Sequence, residues 1–231
     1  KTGVMPDTDD DNIVFNSKND FNIWSWQKYL HLTQNVGTDE EYKPLFLKDT
    51  YQVDGDGGPI DAERRVRYRA NGFKYYANTI KKDEPLTLKL YKQATTKVIH
   101  IGDVGTDTVY YSVHINDKMK QDFDTHSIIS IEDEDFRVFS MGALELKVAW
   151  ADVNTLSEVA KSKCIVQHAE IYNELGIKTG EKKMAMIGMH IVGITKGHPE
   201  FIWSTFENDE LALHSSEVTG LGDEDYIVQD T

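Results

Sequence analysis

Cysteine is nearly absent from this chain. The 231 residues contain only Cys164, so no disulfide can form within the chain. Its strand-like setting between Lys163 and Ile165 favours a buried, inert thiol over a nucleophile. Such low cysteine usage fits the cytosol and a Gram-negative periplasm equally. No Cys-x-x-Cys-His segment occurs, which excludes covalent attachment of a c-type haem.

Basic residues are also scarce. The chain has 25 Lys and Arg against 39 Asp and Glu, a formal charge of −14. Nucleic-acid binding needs clustered positive charge, so this balance argues against a nucleic-acid partner. The one basic cluster, Arg64–Arg69, is interpreted as a local ion-pairing surface. No apolar run is long enough to cross a membrane, so no transmembrane segment is predicted.

The familiar catalytic and metal motifs are missing too. There is no Cys-x-x-Cys or His-Glu-x-x-His zinc motif, no Gly-x-Ser-x-Gly elbow, no Walker loop and no dinucleotide fingerprint. The acidic segments at 7–11 and 54–58 fail the EF-hand pattern, because their twelfth positions are Lys18 and Arg65 instead of Glu. Both are interpreted as solvated loops. No reaction can be assigned from a motif.

The length suits one large β-rich domain. We predict a flexible acidic leader over residues 1–12, a single domain over 13–207 and an acidic C-terminal tail over 208–231. The chain begins at Lys1 without Met and continues with a polar, acidic segment. This start is typical of a processed chain and predicts export to the periplasm or the extracellular space.

Helical signals are confined to the first part of the chain. Asn19 and Asp20 offer an N-cap for a helix over Phe21–Leu32, where apolar residues recur at helical spacing. Residues 33–58 are interpreted as a loop. Pro59 is placed to begin a second helix that runs through Arg69.

From Leu86 onward the apolar residues alternate with polar ones. The predicted strands are Leu86–Leu90, Val98–Ile101, Thr108–Asn116, Ser127–Ile131, Phe136–Ser140, Leu144–Val153, Cys164–Tyr172, Lys183–Thr195 and Phe201–Phe206. Closely spaced strands without intervening helices predict a mainly β fold, an antiparallel sandwich or barrel-like sheet with one or two N-terminal helices.

The most informative segment is 186–208, where two apolar runs flank a polar turn that contains Gly197 and Pro199. This pattern predicts a β-hairpin. If the hairpin is symmetric about its turn, His190 lies opposite Thr205 and Gly188 lies opposite Glu207. The imidazole and the carboxylate then project from one surface, a diagonal neighbour apart.

A second polar row lies on the strand that contains Glu145–Trp150. Alternation places Glu145, Lys147 and Ala149 on one face and the apolar residues between them on the other. Solvation of the charged face is the default for such a strand. If another layer covers that face, Glu145 and Lys147 line a pocket instead.

Two interpretations of these residues remain open. In the first, a pocket of Glu145, Lys147, His190 and Glu207 serves an enzyme. His190 is then the base or a metal ligand, Glu207 orients or co-ligates, Glu145 completes a divalent-metal site, and Lys147 stabilises an anion. In the second, the same residues form a buried polar network around His190 that holds together a binding, assembly or accessory module. The lack of any complete catalytic motif favours the second slightly.

Several segments together resemble a known family. They are Asn22–Leu30, Val109–Asn116, Gly142–Trp150, Gly188–Val192 and Trp203–Glu207, which contain Ser-Trp-Gln, Tyr-Tyr-x-x-x-x-Asn, Glu-x-Lys-x-Ala-Trp, Gly-x-His-Ile and Trp-Ser-Thr-Phe-Glu. In this order they are similar to a poorly characterised family of exported bacterial proteins, sometimes encoded with or fused to cytochrome c modules. The resemblance implies export and a redox protein in the neighbourhood. A protein partner or a homo-oligomer is a separate expectation.

The chain departs from that family pattern at two positions. Ser112 stands where the pattern has Glu, and Asn208 follows Glu207 where the pattern usually has His. Any metal or substrate role of those family residues is therefore not carried over to this chain.

Overall fold

The computed structural model describes residues 17–38, 41–53, 66–68, 74–76, 82–83, 85–89, 100–101, 107–125, 139–173 and 177–209. In chain order its elements are α1 (Lys18–Thr33), α2 (Leu45–Asp49), β1 (Tyr51–Val53), β2 (Val66–Tyr68), β3 (Lys74–Tyr76), β4 (Leu86–Lys89), β5 (His100–Ile101), β6 (Asp107–Thr108), β7 (Tyr110–Ile115), α3 (Asp117–Thr125), β8 (Leu144–Asp152), a 3₁₀ turn (Val153–Thr155), α4 (Glu158–Lys163), β9 (Val166–Tyr172), β10 (Lys178–Thr195) and β11 (His198–Glu207).

Five strands form a nearly closed barrel. β7 pairs with β8, β8 with β10 and β10 with β9, all antiparallel, while β9 pairs with β4 in parallel. One residue pair, Lys89 opposite Tyr111, links β4 back to β7. β1 extends β7 and β11 extends β10. The predicted mainly β, barrel-like fold is confirmed, with two helices near the N-terminus.

The barrel interior is filled by the apolar residues that alternate along its strands. Leu146, Val148 and Trp150 of β8 are fully buried, as is Ile191 of β10. They join Leu86, Leu88, Ala169, Ile171, Met184 and Met189 in one cluster. The alternation along β8 therefore predicted its inner face correctly.

Helices α1 and α2 contribute Trp24, Leu32, Phe46 and Leu47 to the same cluster. The predicted first helix is confirmed, but its N-cap is Ser17 and not Asn19 or Asp20. Asp20 instead accepts a 2.8 Å hydrogen bond from the backbone N–H of Ser17. The carboxylate satisfies an N–H that the helix itself leaves unpaired.

The outer face of the barrel is covered at two ends. At one end Met119 of α3 packs with Val53, Val113, Ile115 and Ala143. At the other end Ala160 of α4 packs with Leu156, Ala151 and Ala185. Between these two clusters, the outer face carries the predicted site residues Glu145, Lys147, His190 and Glu207.

Some predicted elements were wrong. Residues 33–58 were interpreted as a loop, but they contain α2 and β1, whose apolar runs are too short to show a period. The helix predicted from Pro59 to Arg69 is contradicted at Val66–Tyr68, which forms β2. Helices α3 and α4 were not predicted, because both are short and dominated by polar residues.

Other predictions lie outside the described residues. These are the leader over 1–12, the strand Ser127–Ile131, most of Phe136–Ser140 and all but the first two residues of the tail. Among the helices that the structure describes, none is long and apolar enough to cross a membrane.

Gly193 of β10 lies directly against the Trp24 ring of α1. A methyl group on Gly193 would lie 2.9 Å from Cζ2 of Trp24, which is fully buried. We expect Gly193→Ala to lower the free energy of unfolding by about 1–3 kcal/mol, because the rigid indole has to move. Urea unfolding measures this effect. Gly180→Ala is the control, since a methyl group there meets nothing within 4 Å. It should be neutral or stabilising by up to about 1 kcal/mol, and equal losses in both variants would contradict the expectation.

Candidate functional site

The strand register brings the predicted residues onto one surface. His190 lies opposite Thr205 on one side and Lys147 on the other. The neighbouring rows are Trp203, Val192, Glu145 and Ile115, and then Glu207, Gly188, Ala149 and Tyr111. The predicted hairpin register is therefore confirmed at both of its pairs. We call Tyr111, Glu145, Lys147, His190, Thr205 and Glu207 the outer-face site.

His190 is half-buried and held by its neighbour on β11. Its Nδ1 lies 2.8 Å from Oγ1 of Thr205. Partial burial lowers the pKa of the imidazole, the charge of Lys147 lowers it further, and Glu207 opposes both. The imidazole is therefore neutral at pH 7, with one nitrogen oriented by a hydroxyl group.

Lys147 and Glu145 lie on β8, two residues apart and on the same face. Burial lowers the pKa of Lys147, and the charge of Glu145 opposes this only in part. Burial likewise raises the pKa of Glu145 against the opposing charge of Lys147. The ammonium nitrogen of Lys147 also lies 4.9 Å from the centre of the Tyr111 ring, at a distance typical of a cation–π contact.

The surface ion pairs of the same sheet behave differently. Glu170 and Glu181 raise the pKa of Lys178, and Asp152 raises that of Lys182. In those pairs the partner outweighs desolvation. At Lys147 and Glu145 the effect of desolvation on the pKa is larger than that of the partner. Half-buried charges of this kind are typical of functional sites.

Glu207 lies at the end of β11, opposite Gly188. Its row continues through Gly188 to Ala149. Burial raises the pKa of Tyr111, at the far end of the row, to about 12, so its hydroxyl stays protonated. Gly188 and Ala149 therefore separate Glu207 from Tyr111 in this row, and His190 and Lys147 lie in the next row.

The predicted metal ligands were Glu145, His190 and Glu207. All three are described, and no group of three His, Cys, Asp or Glu side chains in the described part of the chain could hold a metal ion. Thr205 makes the hydrogen bond to Nδ1 of His190. The divalent-metal site therefore stays a prediction.

The buried histidine network of this protein is centred on His114 and not on His190. His114 lies inside the barrel and is 1 % exposed. Ser112 Oγ accepts a 2.9 Å hydrogen bond from the indole N–H of Trp150 and lies 2.8 Å from Nε2 of His114. Burial lowers the pKa of His114 to about 3, so the imidazole is neutral.

No motif in the sequence indicated a role for His114. The available signal was its place in the alternating strand 110–115, where it shares a face with Ser112. That strand is buried on both faces, so its pattern did not reveal which histidine was enclosed.

No protein-family model, no curated protein and no solved structure matches this chain. The resemblance to exported bacterial proteins therefore stays a prediction. What can be said about function rests on the geometry of the outer-face site.

Proposed function

We propose that the protein is a binding module whose outer-face site takes a small polar ligand. The observation that carries this proposal is the grouping of Glu145, Lys147 and His190 on one face, which the pairing of β8 with β10 brings about, with the imidazole oriented by Thr205. A ligand that bonds to these groups loses little free energy in ordering them, because the paired strands already hold them in place.

The chemistry of the site favours a ligand with both acceptors and donors. Lys147 donates hydrogen bonds, Glu145 and Glu207 accept them, and a neutral imidazole does either. Two carboxylates beside one ammonium disfavour a simple anion. Small amino acids, hydroxy acids and polyols offer both kinds of group within one small molecule.

Lys147→Met tests this proposal, because it removes the charge and keeps an apolar stem against Tyr111. Glycine, serine, lactate, tartrate and glycerol would be titrated into the ¹⁵N-labelled chain at millimolar concentration. We expect at least one of them to shift the amide signals of Lys147 and His190. Affinity should fall about 10- to 100-fold in the variant, since a hydrogen bond to a charged group is lost.

Lys182→Met is the matched control. The ammonium group of Lys182 lies on an exposed part of β10 and pairs with Asp152 of β8. This variant should bind as the unmodified chain does. If none of the five compounds shifts these signals, or if Lys147→Met binds with unchanged affinity, the proposal is wrong.

An enzyme is the second candidate. The neutral His190, whose Nδ1 is held by Thr205, is placed to act as a general base through Nε2. The distinguishing observation is the fate of the bound compound over hours, followed by proton NMR. Turnover that stops in His190→Gln while binding persists would establish the enzyme. If the ligand stays chemically unchanged, the protein is a binding module and not an enzyme for that compound.

We also propose, from the family resemblance, that the protein is exported and works near a redox protein. Fractionation of cells that express the full gene from its own start tests the location. Recovery in the periplasm or the medium supports export, and recovery in the cytosol rules it out.

A further inference from the structure

Trp203 of β11 lies beside the outer-face site but is not one of its six residues. Its indole is 69 % exposed, the highest value among the exposed large apolar side chains that the structure describes. A single exposed apolar residue is common on protein surfaces and indicates nothing by itself. The place of Trp203 on the sheet is the informative feature.

Trp203 projects from the same face of the sheet as His190. It lies two residues before Thr205 on β11, and side chains two residues apart on a strand share a face. Its partner on β10 is Val192, so His190 is its diagonal neighbour. Diagonal neighbours on an antiparallel pair lie about 7–8 Å apart. The indole therefore lies next to the hydrogen-bonded pair of His190 and Thr205.

Burial on this face decreases toward β11. The row of His190 begins at Val113 on β7, which is buried, and continues through Lys147, which is half-buried. His190 is half-buried as well, and Thr205 at the β11 end is exposed. In the part of the chain that the structure describes, a ligand therefore reaches the imidazole over β11. There it meets Thr205 and the ring of Trp203 first.

The polar groups beside the indole suit hydroxyl groups. Thr205 Oγ1 bonds to Nδ1 of His190 and so orients the ring. No side chain within the described residues bonds to the other ring nitrogen, Nε2. In a neutral imidazole Nε2 is a donor or an acceptor, depending on the tautomer. A hydroxyl group both donates and accepts, so it pairs with Nε2 in either form.

An exposed indole next to hydroxyl-binding groups matches the two surfaces of a sugar ring. One face of a pyranose is formed by C–H bonds, whose small positive charge packs well on the electron-rich face of an aromatic ring. The hydroxyl groups lie around the edge of the ring. One ring can therefore stack on Trp203 and reach His190 with a hydroxyl group. Glycine, lactate and open-chain polyols have no flat apolar face of this kind.

The charges on this face favour a neutral sugar over an acidic one. Glu145 and Glu207 contribute two carboxylates, and Lys147 contributes one ammonium. The whole chain has a formal charge of −14. A sugar that bears a carboxylate would be repelled, whereas neutral hydroxyl groups bond to either kind of charged side chain.

We propose that the ligand of the outer-face site is a neutral pyranose unit, which stacks on Trp203 and bonds through its hydroxyl groups to His190 and Thr205. This inference rests on the proposed function, because it names the class of the small polar ligand. It also adds Trp203 to the site, as the residue that selects a ring over an open chain.

Methyl glycosides test the proposal. Those of glucose, galactose, mannose and N-acetylglucosamine would each be titrated into the full ¹⁵N-labelled chain. We expect at least one of them to shift the indole N–H signal of Trp203 together with the amide signal of His190. The open-chain alditol of the same sugar should bind about tenfold more weakly, because it cannot stack. The uronic-acid form of the same glycoside should also bind more weakly.

Two variants of Trp203 test the stacking contact. Trp203→Ala should weaken binding of the glycoside about tenfold, and Trp203→Phe should recover part of the loss because a ring remains. Both variants should fold, since the indole is exposed. Trp26→Ala is the matched control. Trp26 of α1 is also exposed, but its ring contacts Phe206, whose side chain lies on the opposite face of β11. This variant should bind with unchanged affinity.

A disaccharide of the best-binding unit distinguishes a free sugar from a unit of a longer glycan. The same face of β11 continues from Thr205 to Glu207, about 7 Å farther along the strand. Tighter binding of the disaccharide than of the methyl glycoside would indicate a glycan that follows β11. Equal or weaker binding would indicate a site for one sugar.

Three results would overturn the proposal. One is the absence of shifts at Trp203 and His190 with all four glycosides. Another is an alditol that binds as tightly as its glycoside. The third is an equal loss of affinity in Trp203→Ala and Trp26→Ala.

The two proposals can be told apart by Lys147→Met. If no glycoside binds while glycine, lactate or another of the five compounds shifts the signals of Lys147 and His190, the sugar proposal is wrong and the proposed function stands. If a glycoside binds through Trp203 with unchanged affinity in Lys147→Met, the role of Lys147 in the proposed function is wrong and the sugar site stands.

Discussion

Replacing Ser112 by alanine should lower the free energy of unfolding by about 2–5 kcal/mol. The hydroxyl accepts from Trp150 Nε1 and bonds with His114 Nε2 inside the barrel. Its removal leaves two polar atoms without this partner in a region that water does not reach. Each such unpaired atom costs about 1–3 kcal/mol. The space left by the hydroxyl oxygen is too small for a water molecule to take its place. Urea unfolding at pH 7 measures the difference.

Thr205→Ala provides the matched comparison. It also removes a hydroxyl that bonds to a histidine, but this pair lies on the partly exposed outer face. Water can replace the lost partner there, so the change should cost under about 1 kcal/mol. If both variants lose the same stability, the buried network contributes no more than an exposed hydrogen bond.

Acidification from pH 7 to 4.5 should destabilise the protein by about 2–3 kcal/mol through His114 alone. Burial holds its pKa near 3 in the folded state against an ordinary 6.5. Below pH 6.5 His114 therefore binds a proton in the unfolded chain but stays neutral in the folded chain. Stability falls as the pH falls through the window from 6.5 to 3, and it is regained as the pH rises.

His114→Gln separates this contribution from other titrations. Gln cannot be protonated, yet its amide can still bond to Ser112. The variant will be less stable at pH 7 by an amount set by its packing, but its stability should fall less steeply between pH 6.5 and 4.5. Urea unfolding of both chains over that window measures the two slopes. Parallel slopes would show that His114 is not the group responsible.

Local periodicity predicted a good part of this structure. The alternation along 145–150 identified the inner and outer faces of β8, and the symmetry of the last hairpin predicted that His190 lies opposite Thr205. Both inferences use residues that are close in the chain, where side-chain direction depends only on the strand period. The first helix was found for the same reason.

Prediction failed where elements were short or where partners were distant. Helix α2 has only five residues. A segment of that length is too short for its apolar residues to show a helical period. The sequence also left open which neighbour bonds to His190, since a diagonal position on a strand does not specify a contact; the structure places Thr205 there. The proximity of His190 to Lys147 depends on pairing between β10 and β8, which the chain sequence leaves open.

The sequence by itself determined the period of each long strand, the register of the last hairpin and the face on which each polar side chain lies. The tertiary structure decided which polar residues are enclosed. Closing the barrel buried His114 and Ser112 and left His190 half-exposed beside Lys147. The physical reason is that pairing between distant strands is selected by the burial of many side chains at once, and no short segment of the chain contains that information.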